Sequence, residues 1–137
     1  MPMSTDYIGD GGIISRGEGV VTGSEIKEVN DIIYESPEKI KNIVYQICDL
    51  TNVSNISLSN SEIEEIAEQD SKAFQINPNM FIAIVADDDL IYGLSRMWEA
   101  LAYDYPFEST VFRTMDDAQQ WIREKLVKKP NHVPGDD

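Results

Sequence analysis

Seven consecutive apolar residues, Met80-Phe81-Ile82-Ala83-Ile84-Val85-Ala86, stand between Asn77-Pro78-Asn79 and Asp87-Asp88-Asp89. A strand with one wet face alternates apolar and polar residues; this run does not alternate, so both of its faces must be covered. Such a strand belongs at the centre of a largely parallel sheet flanked by helices.

On the N-terminal side, Tyr7-Ile8-Gly9 and Gly12-Ile13-Ile14-Ser15-Arg16 flank Asp10-Gly11, a pair suited to a tight hairpin turn. Thr22-Gly23-Ser24-Glu25 has the form of a capping box, and Ile26, Val29 and Ile33 follow at helical spacing to about Glu35. Ser36-Pro37 starts a short second turn to Lys41. A strand over Ile43 to Cys48 is expected to end at the polar Asp49-Leu50-Thr51. Ser59-Asn60-Ser61-Glu62 is another capping box. It opens a helix with Ile63, Ile66, Ala67 and Phe74 inward and Glu62, Glu64, Glu65, Glu68 and Asp70 toward water.

After the central strand, Leu90, Ile91, Leu94, Met97, Trp98, Leu101 and Ala102 trace the broadest apolar stripe, stopping near Pro106. Phe107 to Arg113 returns as a strand, and Thr114 caps a last helix that buries Met115, Ala118, Trp121 and Ile122. The order is a β-hairpin followed by α, β, α, β, α, β, α. The fold class is therefore α/β, with alternating elements, a mainly parallel sheet and an N-terminal β-hairpin.

The chain of 137 residues fits one domain, residues 1–127, and the Pro-containing stretch 128–137, including His132, reads as a disordered tail. With 11 Lys and Arg against 25 Asp and Glu, the formal net charge is −14, which repels phosphate backbones and anionic lipid. Nucleic acid is thus not an expected partner. No apolar run reaches the length of a membrane span and no secretory leader is visible, so the reading is a cytoplasmic protein. One cysteine, Cys48, and one histidine exclude an intrachain disulfide, cysteine-rich zinc sites and metal clusters needing two imidazoles. No cofactor or metal is implied.

Three separated blocks carry a resemblance: Ile82-Ala83-Ile84-Val85-Ala86, then Tyr92-Gly93-Leu94-Ser95-Arg96-Met97, then Val111-Phe112-Arg113-Thr114 with Asp117-Ala118 and Trp121-Ile122. Together they resemble the SpoIIAA-like group of small bacterial proteins, whose members mostly carry no assigned biochemical role. That group is related in fold to STAS anti-sigma-factor-antagonist modules and to CRAL-TRIO lipid-binding domains. The resemblance spans about Gly19 to Ile122 and implies a regulatory or binding module. In STAS antagonists the regulatory serine lies in an Asp-Ser-Ser/Thr-Gly element. Here the corresponding stretch starts with the similar Asp49-Leu50-Thr51 and lacks that element, leaving Ser59 and Ser61 as the hydroxyls at a helix N-terminus where phosphate would be stabilised.

Candidate binding residues gather where strands end. Asp49 and Thr51 close one strand and Asp87, Asp88 and Asp89 follow the next, the place where open α/β sheets bind ligands. The competing role for Asp88 or Asp89 is helix capping. Arg96 offers a planar clamp for an anion, or an internal ion pair with Asp49 or Asp87. Tyr92, Tyr103 and Tyr105 are the interface candidates, and Gly93 is expected to pack closely against a neighbour. The stretch Gly17-Glu18-Gly19-Val20-Val21-Thr22-Gly23 is one residue too long for a dinucleotide loop.

The leading functional reading is a non-catalytic regulatory or binding module acting through a protein partner or self-association. The alternative is a small-molecule or lipid binder, with a pocket between the 90–103 helix and the sheet and Arg96 orienting an anionic head group. An enzyme built on Asp49 and Asp87 to Asp89 comes third.

Overall fold

The computed structural model describes residues 3–101 and 108–128. Ten elements run in the order β1 (Met3–Tyr7), β2 (Gly12–Thr22), α1 (Gly23–Ile33), α2 (Pro37–Lys41), β3 (Tyr45–Ser57), α3 (Asn60–Ile76), β4 (Phe81–Val85), α4 (Asp89–Leu101), β5 (Glu108–Phe112) and α5 (Met115–Lys128). The expected disordered tail beyond Lys128, with His132, lies outside the described residues, as do Tyr103 and Tyr105.

The sheet order follows the chain, β1-β2-β3-β4-β5. Strand β1 is antiparallel to β2, and every other pair is parallel. Each residue of β4 is buried, as a run without alternation requires. Ile82 and Ile84 face a core shared with Ile33 of α1, Ile63 and Ile66 of α3, and Ile91 and Trp98 of α4. Phe81, Ala83 and Val85 face a smaller core closed by Ala118 and Ile122 of α5. Helices α1 to α4 thus cover one face and the C-terminal helix covers the other, the layering that successive crossovers of one hand produce.

Both capping boxes form. The Thr22 hydroxyl accepts from the Glu25 N–H at 3.2 Å and the Glu25 carboxylate accepts from the Thr22 N–H at 2.8 Å. Ser59 and Glu62 repeat the arrangement at 3.1 and 2.9 Å. Ser36 caps α2 through the Lys39 N–H, with Pro37 in the first turn.

The strand expected to stop at Asp49-Leu50-Thr51 instead runs on to Ser57. Two irregularities disguise it. Arg16 pairs with Asp49 and Glu18 with Asn52, and then Gly19 pairs with Val53 and Val20 with Asn55. Strand β3 therefore carries one extra residue at each break, and its inward positions move from Gln46, Cys48 and Leu50 to Val53 and Ile56. The loss of period two removes the usual strand signature. The glycines of β2 serve this ribbon: Gly19 has φ +65°, and a Cβ on Gly17 would come within 2.7 Å of Val53 Cγ2. Only β2 pairs with β3 beyond Asp49, because β4 ends at Val85. The long helix α3 lies over this extension, contributing Ile63 and Ile66 to the core that holds Val53 and Ile56.

Gly93 departs from its expected close packing: among the described residues nothing lies within 4 Å of a Cβ built there. Two alanine substitutions should therefore act in opposite directions. Gly17→Ala overfills the contact with Val53 and Met3 and is expected to cost roughly 1–3 kcal/mol. Gly93→Ala, inside α4 and in open space, is expected to stabilise by about 1 kcal/mol. Urea unfolding midpoints measure both, and changes of the same sign would contradict the packing described.

Candidate functional site

A mainly apolar cavity of about 90 Å³ lies between the sheet and helices α1, α3 and α4. Ile26, Leu50, Ile63, Ile84 and Leu94 are among its apolar walls, with Cys48, Gln46, Ser95 and Trp98 also lining it. Among the described residues one charged side chain lines it, Asp70 of α3. Asp70 is 5% exposed, which corrects its assignment to the water-facing side of the helix.

Two helices supply donors to the Asp70 carboxylate of α3, and β3 joins the network through Tyr34. The Tyr34 hydroxyl, at the end of α1, donates to Oδ1 at 2.7 Å, and Asn30 Nδ2 of α1 approaches the same oxygen at 3.5 Å. The indole N–H of Trp98 on α4 donates to Oδ2 at 2.8 Å. Gln46 Nε2 of β3 donates to the Tyr34 oxygen at 2.8 Å, extending the network into the sheet. Burial pushes the Asp70 pKa up to about 6, with the bonds from Tyr34 and Trp98 holding it below what burial alone would produce. The same burial, together with the Asp70 charge, raises Tyr34 well above the usual tyrosine value. The Cys48 thiol is pushed up to about 12, chiefly by burial, and is correspondingly unreactive.

The residues singled out from sequence lie elsewhere and are held apart. Asp49 Oδ1 accepts from both the N–H and the hydroxyl of Thr51, at 3.1 and 2.7 Å, closing a local turn within β3. Asp88 Oδ2 caps α4 by accepting from the N–H groups of Leu90 and Ile91 at 3.0 and 3.2 Å. Asp89 pairs with Arg113 at 2.7 Å, and Arg113 also donates to the Asp87 carbonyl at 3.2 Å. The Arg113 guanidinium covers the Tyr92 ring at 3.9 Å from its centroid, tying β5 to the β4–α4 turn. No group of three or more His, Cys, Asp or Glu suited to a metal occurs among the described residues.

Arg96 pairs with Glu99 at 3.1 Å, rather than with Asp49 or Asp87, and it does not line the cavity. The pocket expected between the α4 segment and the sheet exists, but the charge in its wall is a carboxylate rather than a guanidinium. At the start of α3, the Ser59 oxygen is occupied as the cap and the Glu62 carboxylate binds the Ser59 N–H, so a phosphate on Ser59 would sit against that carboxylate. Ser61, two residues further on, is exposed.

Asp70 was legible by position. It lies seven residues after Ile63, three after Ala67 and four before Phe74, which places it on the apolar stripe by helical spacing. Its acidity masked that placement. The buried carboxylate binds its proton more tightly folded than unfolded, where its pKa is near 3.8. The folded state therefore holds the extra proton between about pH 4 and 6, and this group's contribution to stability falls as pH rises through that window. Asp70→Asn removes the titration. The stability of the wild type relative to Asp70→Asn is expected to drop by on the order of 3 kcal/mol between pH 4 and pH 7. Paired urea titrations across that range measure it, and a gap that does not move with pH would contradict the burial of the charge.

No protein-family model matches the sequence, and no curated protein matches it. Solved structures are similar to it in fold. The anti-sigma factor antagonist SpoIIAA in its unphosphorylated form superposes with a TM-score of 0.56 at 8% identity, covering 88% of this chain and 97% of that one. The Bacillus cell fate determinant SpoIIAA in the phosphorylated form superposes with a TM-score of 0.59 at 7% identity, covering 88% of this chain and 99% of that one. At these identities the likeness is one of fold. The expectation drawn from the three sequence blocks holds at that level: the chain has a SpoIIAA/STAS-like α/β fold, with an antiparallel N-terminal hairpin on an otherwise parallel sheet.

Proposed function

We propose that this protein is a regulatory protein-interaction module of STAS type and that the outer face of α4 is its docking surface. The observation carrying this reading is Gly93. A glycine inside a helix costs about 1 kcal/mol relative to alanine, and no contact among the described residues compensates for it. Gly93 lies among Leu90, Met97 and Leu101, which are 60%, 42% and 44% exposed. These positions recur at helical spacing on a face turned roughly 100° from the one that buries Ile91, Ser95 and Trp98. The single broad stripe read from sequence is thus two stripes, one inward and one outward.

A missing side chain within an exposed apolar stripe leaves room for a partner's side chain to approach the helix backbone. The net charge of −14 disfavours a second copy of this chain across that face. The partner is a separate protein presenting an apolar knob ringed by Lys and Arg. Asp87, Asp88 and Asp89 at the start of α4 supply the acidic side of that rim. The similarity in fold to an anti-sigma factor antagonist supports the interaction reading.

A photo-crosslinking residue at Met97 is expected to give one discrete adduct in extracts of the source organism, with a yield that falls as salt rises. Gly93→Leu in the same chain should keep the protein folded and abolish the adduct. An adduct insensitive to Gly93→Leu, or the same adduct from a probe at Gln120 on α5, would contradict the assignment.

A further inference from the structure

The cavity beside Asp70 is independent of the outer α4 face and has an electrostatic peculiarity of its own. Buried carboxylates are ordinarily matched by a cation, because an ion removed from water loses its solvation. Among the described residues no ion pair reaches Asp70, and its partners are neutral donors. An ionised carboxylate offers about four acceptor sites. Tyr34 and Asn30 use Oδ1, while Oδ2 accepts from Trp98. The remaining acceptor capacity lies on the oxygen of a side chain that lines the cavity, whose other walls are mostly aliphatic.

We propose that the cavity binds a small primary ammonium carried on an aliphatic chain, the ammonium donating to Asp70 Oδ2 and the chain lying between Ile26, Ile63 and Leu94. Three observations support that class. Among the described residues the wall contains one formal charge and it is negative, so an anionic head group is opposed there. The whole chain carries a net charge of −14, which concentrates cations around it. An apolar cavity of about 150 Å³ holds the six carbons of benzene, so about 90 Å³ holds about four heavy atoms, the ammonium and the first three carbons of the chain. The same chemistry is available from a free amine or from the lysine side chain of a partner, and the two are separable by experiment.

The groups facing Asp70 are Asn30 and Tyr34 from α1 and its cap, Gln46 and Cys48 from β3, and Trp98 from α4. Tyr34 and Cys48 stay protonated through neutral pH, since burial raises both. Asp70, at about 6, is the group that changes charge there between pH 5 and 7. Ammonium binding requires its ionised form, so apparent affinity should weaken about tenfold from pH 7 to pH 5.

The test is a ¹H–¹⁵N titration of the intact protein with n-butylammonium, read at the two tryptophan indoles. A saturable shift of the Trp98 indole N–H is expected, with the Trp121 indole unmoved, a tenfold weaker response at pH 5, and no comparable shift with n-butanol. Asp70→Asn should lose the response while keeping a dispersed spectrum. If that variant does not fold, the n-butanol and pH arms on the wild type decide alone. Saturation by n-butylammonium but not by Nα-acetyl-lysine methylamide assigns the site to a free amine, and the reverse assigns it to a partner's lysine. An unmoved Trp98 indole at millimolar n-butylammonium, or an equal shift with n-butanol, would overturn the proposal.

Discussion

The covering layer of helices on this sheet is organised around one buried carboxylate. Asp70 takes hydrogen bonds from Tyr34 at the end of α1 and from Trp98 on α4, and Tyr34 in turn takes one from Gln46 in β3. Helix α3 is thereby fixed against its two neighbours and the sheet by polar contacts inside an otherwise aliphatic core. Apolar packing supplies most of the stabilisation in such a layer, but it is non-directional and tolerates small slips. A carboxylate with two short, directed bonds to different helices does not, because a displaced helix would leave a buried donor or acceptor unpaired. The cavity lies at the same meeting point. Its walls come from all three helices and from β3 and β4, so its shape depends on this arrangement.

The second determinant is the extension of β2 and β3 past the end of β4. Two bulges in β3 turn the inward residues from every second position to Val53 and Ile56, and the ribbon continues under α3 to Ser57. The Thr22 cap of α1 and the Ser59 cap of α3 follow directly on the ends of the paired strands, where Thr22 is opposite Ser57. Helices α1 and α3, which carry Asn30, Tyr34 and Asp70, therefore start from one end of one ribbon. Their lengths then bring Asn30 and Tyr34 level with Asp70. Helix α4 is set separately, by the Asp88 cap and by Arg113 reaching back from β5 to Asp87, Asp89 and Tyr92.

Much of this was legible in the residues. The unbroken run at Met80 to Ala86 announced a strand covered on both faces, and the paired hydroxyl and carboxylate at Thr22/Glu25 and Ser59/Glu62 announced two helix starts. These are local signals whose physical cause lies within a few residues. The features that escaped have causes distant in sequence. The continuation of β3 was hidden because bulges break the alternation by which a strand is recognised, and a bulge is a property of two strands together. An acidic side chain ordinarily is exposed, which places Asp70 in water, although its spacing from Ile63 and Phe74 puts it inward; the donors that make burial tolerable come from Tyr34 and Trp98, far along the chain. The carboxylates at Asp49 and Asp87 to Asp89 approach the same rim, yet Asp49 and Asp88 are engaged locally and Asp89 by Arg113.

The most direct measurement is a carboxyl ¹³C titration of the folded protein that follows the Asp70 side chain from pH 3 to pH 8. A buried carboxylate held by neutral donors and without a matching cation should titrate near 6, well above the ordinary aspartate value of 3.8. A midpoint in the ordinary range near 3.8 would show Asp70 to be hydrated or paired with a cation, and would contradict both the core described and the site proposed beside it.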